Sequence, residues 1–254
     1  DAFGFENNSM PFIFTQVAPD VYDTFTSANK SQHTAYLSEQ MEKVYKANSE
    51  NNMAMVAIYD LPLDHIKDGS SSGTIHPRVK TPVGERFALS AMNLVYGGTG
   101  ENSTPIYDSK EIKDGAVYVR FTNVGEGLKV ISGDTLHGFA ICGTDNVYTG
   151  AFAEIVSKDT VKVYNPLVSQ PCDVTYAFET MNQSSNLANS DGIPASPFRT
   201  KIYNDRVGVA DDTVTYYNTQ EWMFADKDYW QNIKYASASV SELWSVSGAA
   251  SSEY

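Results

Sequence analysis

Two short, almost wholly apolar runs near the start of the chain constrain its fold most strongly. They are residues 10–19, MPFIFTQVAP, and residues 53–59, MAMVAIY, and a stretch with helical spacing separates them. Continuous apolar runs of this length suit strands that are buried on both faces of a parallel sheet. Because parallel strands need a crossover connection, the order strand, helix, strand predicts a parallel α/β unit.

The predicted crossover helix carries an apolar stripe on one face. That stripe consists of Leu37, Met41, Val44 and Tyr45. Glu39 and Glu42 are predicted to lie outside the stripe. Ser31 or Thr34 can cap the start of this helix through a hydroxyl group, and the helix should end near Asn48.

A single histidine, His76, stands between a polar loop and a second predicted helix. Thr81 can cap this helix, Pro82 suits its first position, and Gly97 can end it in a left-handed conformation. The histidine follows the second apolar strand, and open α/β sheets place their sites at the carboxyl ends of strands. An imidazole at the rim of a packed element, reachable from solvent, makes His76 the leading candidate for chemistry.

From residue 103 onward the pattern changes to short alternating segments. Apolar and polar residues alternate at 117–121, 161–163 and 174–178, and Gly, Asn, Asp or Pro bounds each segment. Alternation with a period of two indicates strands with one buried face. This region therefore predicts an antiparallel β-sandwich.

Several stretches resemble one enzyme family. The most specific are residues 75–78 (IHPR), 82–86 (PVGER) and 192–200 (GIPASPFRT), with a shorter one at 125–128 (GEGL). Together they resemble the last catalytic block and the carboxyl-terminal β domain of the sialate O-acetylesterase group of SGNH-type carbohydrate esterases. The resemblance covers about residues 10–200.

The resemblance implies an α/β plus β fold. Residues 1–102 would form the carboxyl-terminal part of a flavodoxin-like SGNH parallel α/β domain, and residues 103–200 an antiparallel β-sandwich domain. Residues 201–254 resemble nothing in the family and form an aromatic-rich extension of unknown role. Such aromatic residues more often pack on the body of a protein than form a platform for sugars.

In this family a histidine in the block around position 76 is the general base of a serine hydrolase. The resemblance therefore assigns that role to His76. Many SGNH hydrolases place an aspartate three residues before the histidine, where this chain has Gly73. Asp60, at the end of its strand, and Asp68, in the following loop, are substitutes for the orienting acid. Either residue could instead be a solvated loop carboxylate.

Two further side chains are candidate substrate-binding residues. Gln16 lies in a Thr-Gln-Val-Ala-Pro run similar to one in the family, and Arg78 follows the histidine by two positions. The alternatives are a polar strand end for Gln16 and a surface cation for Arg78.

The family's serine nucleophile and oxyanion donors lie in blocks that these 254 residues do not contain. Residues 69–73 spell Gly-x-Ser-x-Gly, but they follow a polar run instead of a strand, so a linker is the favoured interpretation. We therefore expect a separate N-terminal chain of the same esterase to carry the serine and to form a heterodimer with this chain.

The balance of charges excludes some partners. The net charge is −13 with 18 Lys and Arg residues, so nucleic acid and anionic membrane surfaces are repelled. No apolar run approaches the ~20 residues of a membrane span. His33, His65 and His137 lack partners at metal-ligand spacing, so no metal and no cofactor is expected.

Cysteines and glycosylation sequons leave the compartment open. Cys142 and Cys172 are placed so that a disulfide across the β region is about as probable as two free thiols. Four Asn-x-Ser/Thr sequons occur, at Asn7, Asn29, Asn102 and Asn182. They permit a glycoprotein that is secreted, on the cell surface or in the lysosomal lumen, without requiring one.

Two functions follow. The leading hypothesis is the C-terminal chain of a two-part serine esterase that removes O-acetyl groups from sialic acid or another glycan, inactive alone. The alternative is a non-enzymatic surface or assembly protein built on a degenerate esterase scaffold.

Overall fold

The computed structural model describes residues 10–19, 33–62, 77–179 and 184–201, and within them the chain is a mixed α/β protein with two helices and several antiparallel sheets. The helices are α1 (His33–Asn48) and α2 (Thr81–Leu94). The strands are β1 (Phe12–Thr15), β2 (Met53–Val56), β3 (Ile106–Lys113), β4 (Ala116–Thr122), β5 (Lys129–Val130), β6 (Phe139–Cys142), β7 (Thr149–Gly150), β8 (Phe152–Ile155), β9 (Thr160–Tyr164), β10 (Asp173–Tyr176), β11 (Leu187–Ala188) and β12 (Phe198–Arg199). No helix among them is long and apolar enough to cross a membrane.

The first two strands form the predicted parallel pair. β1 and β2 run side by side from the Phe12–Met53 pair to the Thr15–Val56 pair, and α1 lies between them in the chain. Both helices pack against β2. The strand, helix, strand prediction is therefore confirmed for this part of the chain.

The buried face of α1 differs from the predicted apolar stripe. Val44 is exposed, whereas Thr34, Ser38 and Glu42 are buried. The helix begins at His33, so Thr34 lies inside it and does not cap it, and Ser31, the other predicted cap, lies outside the described residues. The polar partners of the buried Glu42 are Lys46 of the same helix and Ser196. The helix ends at Asn48 as predicted.

Helix α2 ends in the way that its glycines indicate. Gly97 has a φ of 76°, and the amide of Gly98 donates to the carbonyl of Met92 at 3.0 Å. A left-handed glycine with this hydrogen bond closes the last turn of a helix. At the other end Thr81 is itself helical, and Lys80 precedes it without a side-chain cap.

The remaining strands form antiparallel sheets around one apolar core. One four-stranded sheet has the order β12-β10-β6-β7, another has the order β3-β4-β9-β8, and β11 pairs with β5. The alternating segments predicted from the sequence supply residues from both four-stranded sheets to this core. They include Val117, Val119, Phe121, Val161, Val163, Val174 and Tyr176.

The run at residues 193–199 joins the parallel pair to these sheets. We call the described residues of 10–102 the α/β part and those of 103–201 the β part. Ile193 packs with Val56 and Leu61 of the α/β part. The amide of Ser196 donates to the carbonyl of Pro105 at 2.8 Å. This run also carried the most specific part of the resemblance in the β region.

Candidate active site

The carboxyl ends of β1 and β2 define the edge where an α/β site is expected. Gln16 follows β1 directly, and its backbone N–H continues the strand pairing by donating to the carbonyl of Val56 at 2.9 Å. Four residues beyond β2 stands Asp60. The amide of Arg78 donates to the carbonyl of Pro62 at 2.7 Å, so the chain leaves and returns at one point of this edge. His76 and Asp68 lie between those two points, outside the described residues, and their roles stay predictions.

Asp60 is held by a bidentate ion pair with Arg86 of α2. The two oxygen–nitrogen distances are 2.7 and 2.6 Å, and one guanidinium nitrogen also donates to the carbonyl of Ala57 at 3.0 Å. The Asp60 side chain is only 14% exposed, so it is not a solvated loop carboxylate. Each carboxylate oxygen keeps a further acceptor site, to which an imidazole N–H can donate. The geometry therefore fixes Asp60 rigidly and leaves its predicted role untested.

Gln16 is enclosed and does not line an open pocket. The residue is 1% exposed, and its amide nitrogen donates to the Ser196 hydroxyl at 2.8 Å and to the Ser38 carbonyl at 3.2 Å. Both donor positions of the amide are therefore used in packing β1 against α1 and the 193–199 run. This placement matches the alternative of a polar strand end, and the substrate-binding role of Gln16 stays a prediction.

Arg78 is exposed next to the point where the chain returns to the sheet edge. A pocket residue and a surface cation both require an exposed guanidinium, so the two interpretations remain for this residue.

Of the two alternatives for Cys142 and Cys172, a disulfide or two free thiols, the structure has two free thiols. Cys142 is paired in register with Asp173, and the amide of Cys172 donates to the Cys142 carbonyl at 2.9 Å. Burial raises the pKa of the Cys142 thiol, which keeps it protonated.

One of the four sequons can be examined. Asn102 is half-buried and accepts a hydrogen bond from the hydroxyl of Ser103 at 2.8 Å, while Ser103 and Thr104 are fully buried. The other three, at Asn7, Asn29 and Asn182, lie outside the described residues, as does the extension beyond Lys201. Glycan occupancy stays a prediction at all four positions.

No group of three or more His, Cys, Asp or Glu side chains is arranged to hold a metal ion in the part of the chain that the structure describes.

Residue periodicity did not find the polar contacts that join the α/β part to the β part. Arg199, whose side chain is 3% exposed, forms a bidentate pair with Glu39 at 2.9 Å for both contacts. The hydroxyl groups of Tyr59 and Tyr176 lie 2.9 Å apart in the core. We call these contacts, together with Gln16–Ser196, the polar seam. Arg199 lies in a run that carries the resemblance, which is a signal that could have singled it out.

Glu42 lies beside the polar seam and has an unusual electrostatic environment. Burial raises the pKa of its carboxyl group, although the ammonium of Lys46 at 2.7 Å opposes that effect. Burial also raises the pKa of both seam tyrosines. These hydroxyl groups therefore stay neutral and hold structure instead of exchanging protons.

Comparison with known proteins agrees with the fold and points to one class of enzyme. The chain is similar in structure to a carbohydrate acetylesterase from Xanthomonas citri, with a TM-score of 0.63 and 28% sequence identity. The similarity covers 76% of this chain and 41% of that enzyme, so this chain spans less than half of the enzyme's length. No protein-family description and no curated protein matches the chain.

The class to which the chain is similar is therefore that of carbohydrate acetylesterases. The sialate O-acetylesterase group, which the sequence predicts within that class, is a finer statement and stays a prediction.

Proposed function

We propose that this chain is the carboxyl-terminal part of a carbohydrate esterase that removes O-acetyl groups from sialic acid or another glycan. The observation that carries the proposal is the similarity to a carbohydrate acetylesterase over 76% of the chain. The proposal includes a flavodoxin-like SGNH α/β domain to residue 102, a β-sandwich domain over 103–200, and an extension over 201–254.

In the proposed mechanism His76 is the general base. It takes the proton of a serine hydroxyl while the serine oxygen bonds to the acetyl carbonyl carbon. When the tetrahedral intermediate collapses, the bond from carbon to the sugar oxygen breaks, and the sugar leaves with the proton from His76. Water activated by the same imidazole then releases acetate and restores the serine. The contact between Arg78 and Pro62 supports this role, because it brings both ends of the 63–76 segment to the sheet edge.

The serine and the oxyanion donors would come from a separate N-terminal chain. Two features of β1 support such a partner. Among the described residues β1 pairs only with β2, and Met10 and Phe12 beside its start are each 57% exposed. An unpaired strand edge next to exposed apolar side chains favours association with another strand. A parallel strand of the N-terminal chain would cover this edge and complete the sheet.

The net charge bears on the substrate. A protein with a net charge of −13 repels an anionic sialoside at long range, so a sialate substrate requires local positive charge. Arg78, exposed beside the 63–76 segment, is suited to bind a sugar carboxylate. A neutral acetylated glycan would need no such contact.

The proposal is tested on the native protein with its associated polypeptides. We expect acetate release from acetylated sugars, and His76→Ala should lower turnover by about 10²–10⁴-fold without changing thermal unfolding. His137→Ala is the matched control, because His137 is exposed in the β part and has no role in the mechanism. Unchanged turnover in the His76 variant would remove this residue as the base.

Labelling with a fluorophosphonate separates the enzyme from the non-enzymatic alternative. A labelled serine on a co-purifying N-terminal chain supports the two-part esterase. A native preparation that is not labelled and releases no acetate supports the surface or assembly protein. Full activity from a preparation without a second polypeptide contradicts the heterodimer.

A further inference from the structure

The outer face of the sheet β3-β4-β9-β8 carries aromatic rings in an ordered arrangement. The inward residues of β4 and β9 form the core, so Tyr118, Lys162 and Tyr164 project from the opposite face. Phe152 on the edge strand β8 is paired in register with Tyr164 and is 60% exposed. Their ring centroids are 5.6 Å apart with an interplanar angle of 30°, so the two rings form one slightly folded surface.

Charged groups of both signs surround these rings. The ammonium of Lys162 lies 4.8 Å from the centre of the Tyr164 ring, and that of Lys113 lies 4.7 Å from the centre of the Tyr118 ring. The Tyr164 hydroxyl donates to a carboxylate oxygen of Glu154 at 2.8 Å. An ammonium group therefore lies over one face of each tyrosine ring, and a carboxylate accepts the hydroxyl proton of Tyr164.

A groove of about 250 Å³ lies at the end of this surface. It is lined by Asp114, Gly115, Lys162, Tyr164, Asn165 and Pro166, among others. Asp114 and Gly115 have φ values of 51° and 71°, which form the tight turn between β3 and β4. The Asp114 carboxylate is exposed at this turn. The groove lies slightly below the volume of about 300–1,000 Å³ that is typical of pockets for drug-sized ligands, so it suits one small polar ring.

The chemistry of this face favours a sugar. An exposed ring such as that of Phe152 offers a flat apolar surface to the C–H face of a pyranose, and the neighbouring lysines and carboxylates can bond sugar hydroxyl groups. Two cations, Lys113 and Lys162, face three carboxylates, those of Glu111, Glu154 and Asp114, and the ion pair of Arg120 with Asp159 adds no net charge. A neutral ligand meets no electrostatic penalty here, whereas an anionic one gains nothing.

We propose that Phe152, Tyr164 and the adjoining groove bind a sugar ring of a neutral glycan, as a site separate from the candidate active site. The sugar stacks on the exposed Phe152–Tyr164 surface, and Asp114, Lys162 and Glu154 bond its hydroxyl groups. In a carbohydrate esterase such a site holds the enzyme on a polymeric substrate. Binding does not depend on turnover, so it can be measured even if the proposed esterase activity is absent.

Native affinity electrophoresis of the full chain in gels with neutral polysaccharides tests the site. The gels contain xylan, glucomannan or hydroxyethyl cellulose, and a gel with anionic polygalacturonate is run beside them. We expect at least one neutral polysaccharide to retard the protein, and Phe152→Ala and Tyr164→Ala each to weaken that binding about tenfold. Tyr96→Ala is the matched control, because it removes an exposed aromatic residue that follows α2 and is not part of the sheet β3-β4-β9-β8. Circular dichroism confirms that each variant is folded.

Three results would overturn the proposal: no retardation by any neutral polysaccharide, retardation by polygalacturonate alone, and binding by both variants equal to that of the parent protein. Sedimentation velocity can give a fourth such result. If the parent protein is a dimer and Phe152→Ala dissociates it, the face binds a second copy of the chain instead of a sugar. If the protein hydrolyses acetyl esters, Phe152→Ala should act normally on a small acetylated sugar and more slowly on an acetylated polymer. An equal loss on both substrates would contradict a separate site.

Discussion

The α/β part and the β part of this chain are stabilised in different ways. One apolar cluster of 18 buried residues lies between the antiparallel sheets; 16 of them belong to the β part, and the other two are Ala57 and Tyr59. Within its described residues the α/β part contains two small clusters, and each includes a residue of the β part, Ile193 in one and Ile106 in the other. A pair of strands is marginal by itself, so the α/β part depends on its neighbour. The parallel pair is therefore held in place by its interface with the β part and not by a core of its own.

The buried contacts within the β part and those of the polar seam also differ in polarity. In the β part the buried contacts are mostly between apolar residues, whereas at the seam Arg199 meets Glu39 and Tyr59 meets Tyr176. A buried polar pair adds less net stability than an apolar contact, but it has one satisfactory geometry. The seam therefore selects one arrangement of the two parts, and removal of a single partner should cost much more than the pair contributes.

The largest effect is expected for Arg199→Ala, which leaves the largely buried Glu39 with only the ammonium of Lys43 at 3.9 Å. We expect the free energy of unfolding to fall by about 4 kcal/mol. Urea denaturation followed by circular dichroism measures it. Arg120→Ala is the matched control, since Arg120 is largely exposed at 3.7 Å from Asp159, and it should cost less than about 1 kcal/mol. Equal losses in the two variants would show that the seam is no stronger than a surface contact.

Arg86→Ala tests the second buried ion pair, within the α/β part. The loss of both hydrogen bonds to Asp60 should lower the free energy of unfolding by about 3 kcal/mol. Arg86→Lys should recover only part of it, because an ammonium group cannot form the bidentate contact. Full recovery with lysine would mean that charge alone matters at this position. The double variant with Asp60→Ala gives the coupling energy of the pair.

The tyrosine pair should show a smaller and unequal effect. Tyr176 accepts the amide of Leu187 at 2.8 Å as well as contacting Tyr59, so Tyr176→Phe leaves two buried polar groups without a partner. We expect Tyr176→Phe to lower the free energy of unfolding by about 2 kcal/mol and Tyr59→Phe by about 1 kcal/mol, measured by denaturant unfolding. The reverse order would mean that the Leu187 contact adds nothing.

The smallest effect concerns pH and Glu42. Because burial raises its pKa in the folded state, folding favours the protonated carboxyl group, and its contribution to stability falls as pH rises above the unfolded value of 4.5. Glu42→Gln stays neutral, so its stability relative to the parent should improve from pH 4 to pH 7. Thermal melts across that range measure the difference, with Glu126→Gln at an exposed position as control. A difference that is constant with pH would exclude a raised pKa for Glu42.

Much of the fold could be read from local patterns. The two apolar runs predicted a parallel pair, Gly97 marked the end of α2, and the alternation at 117–121 predicted a strand with one buried face. Such features depend on residues within a few positions of one another, which is why a sequence reveals them. The position of His76 after a strand singled it out, and the resemblance gave it the role of general base; His76 and Asp68 both lie outside the described residues.

Tertiary structure alone decided what each face meets. The helical pattern placed Glu39 and Glu42 outside the apolar stripe, yet Glu39 binds Arg199 from 160 residues further along the chain, and Glu42 is buried beside the same run. The same applies to Gln16, which is enclosed by Ser38 and Ser196. Periodicity shows which residues share a face, but only the folded chain supplies the distant partner that lets a charged or polar group be buried.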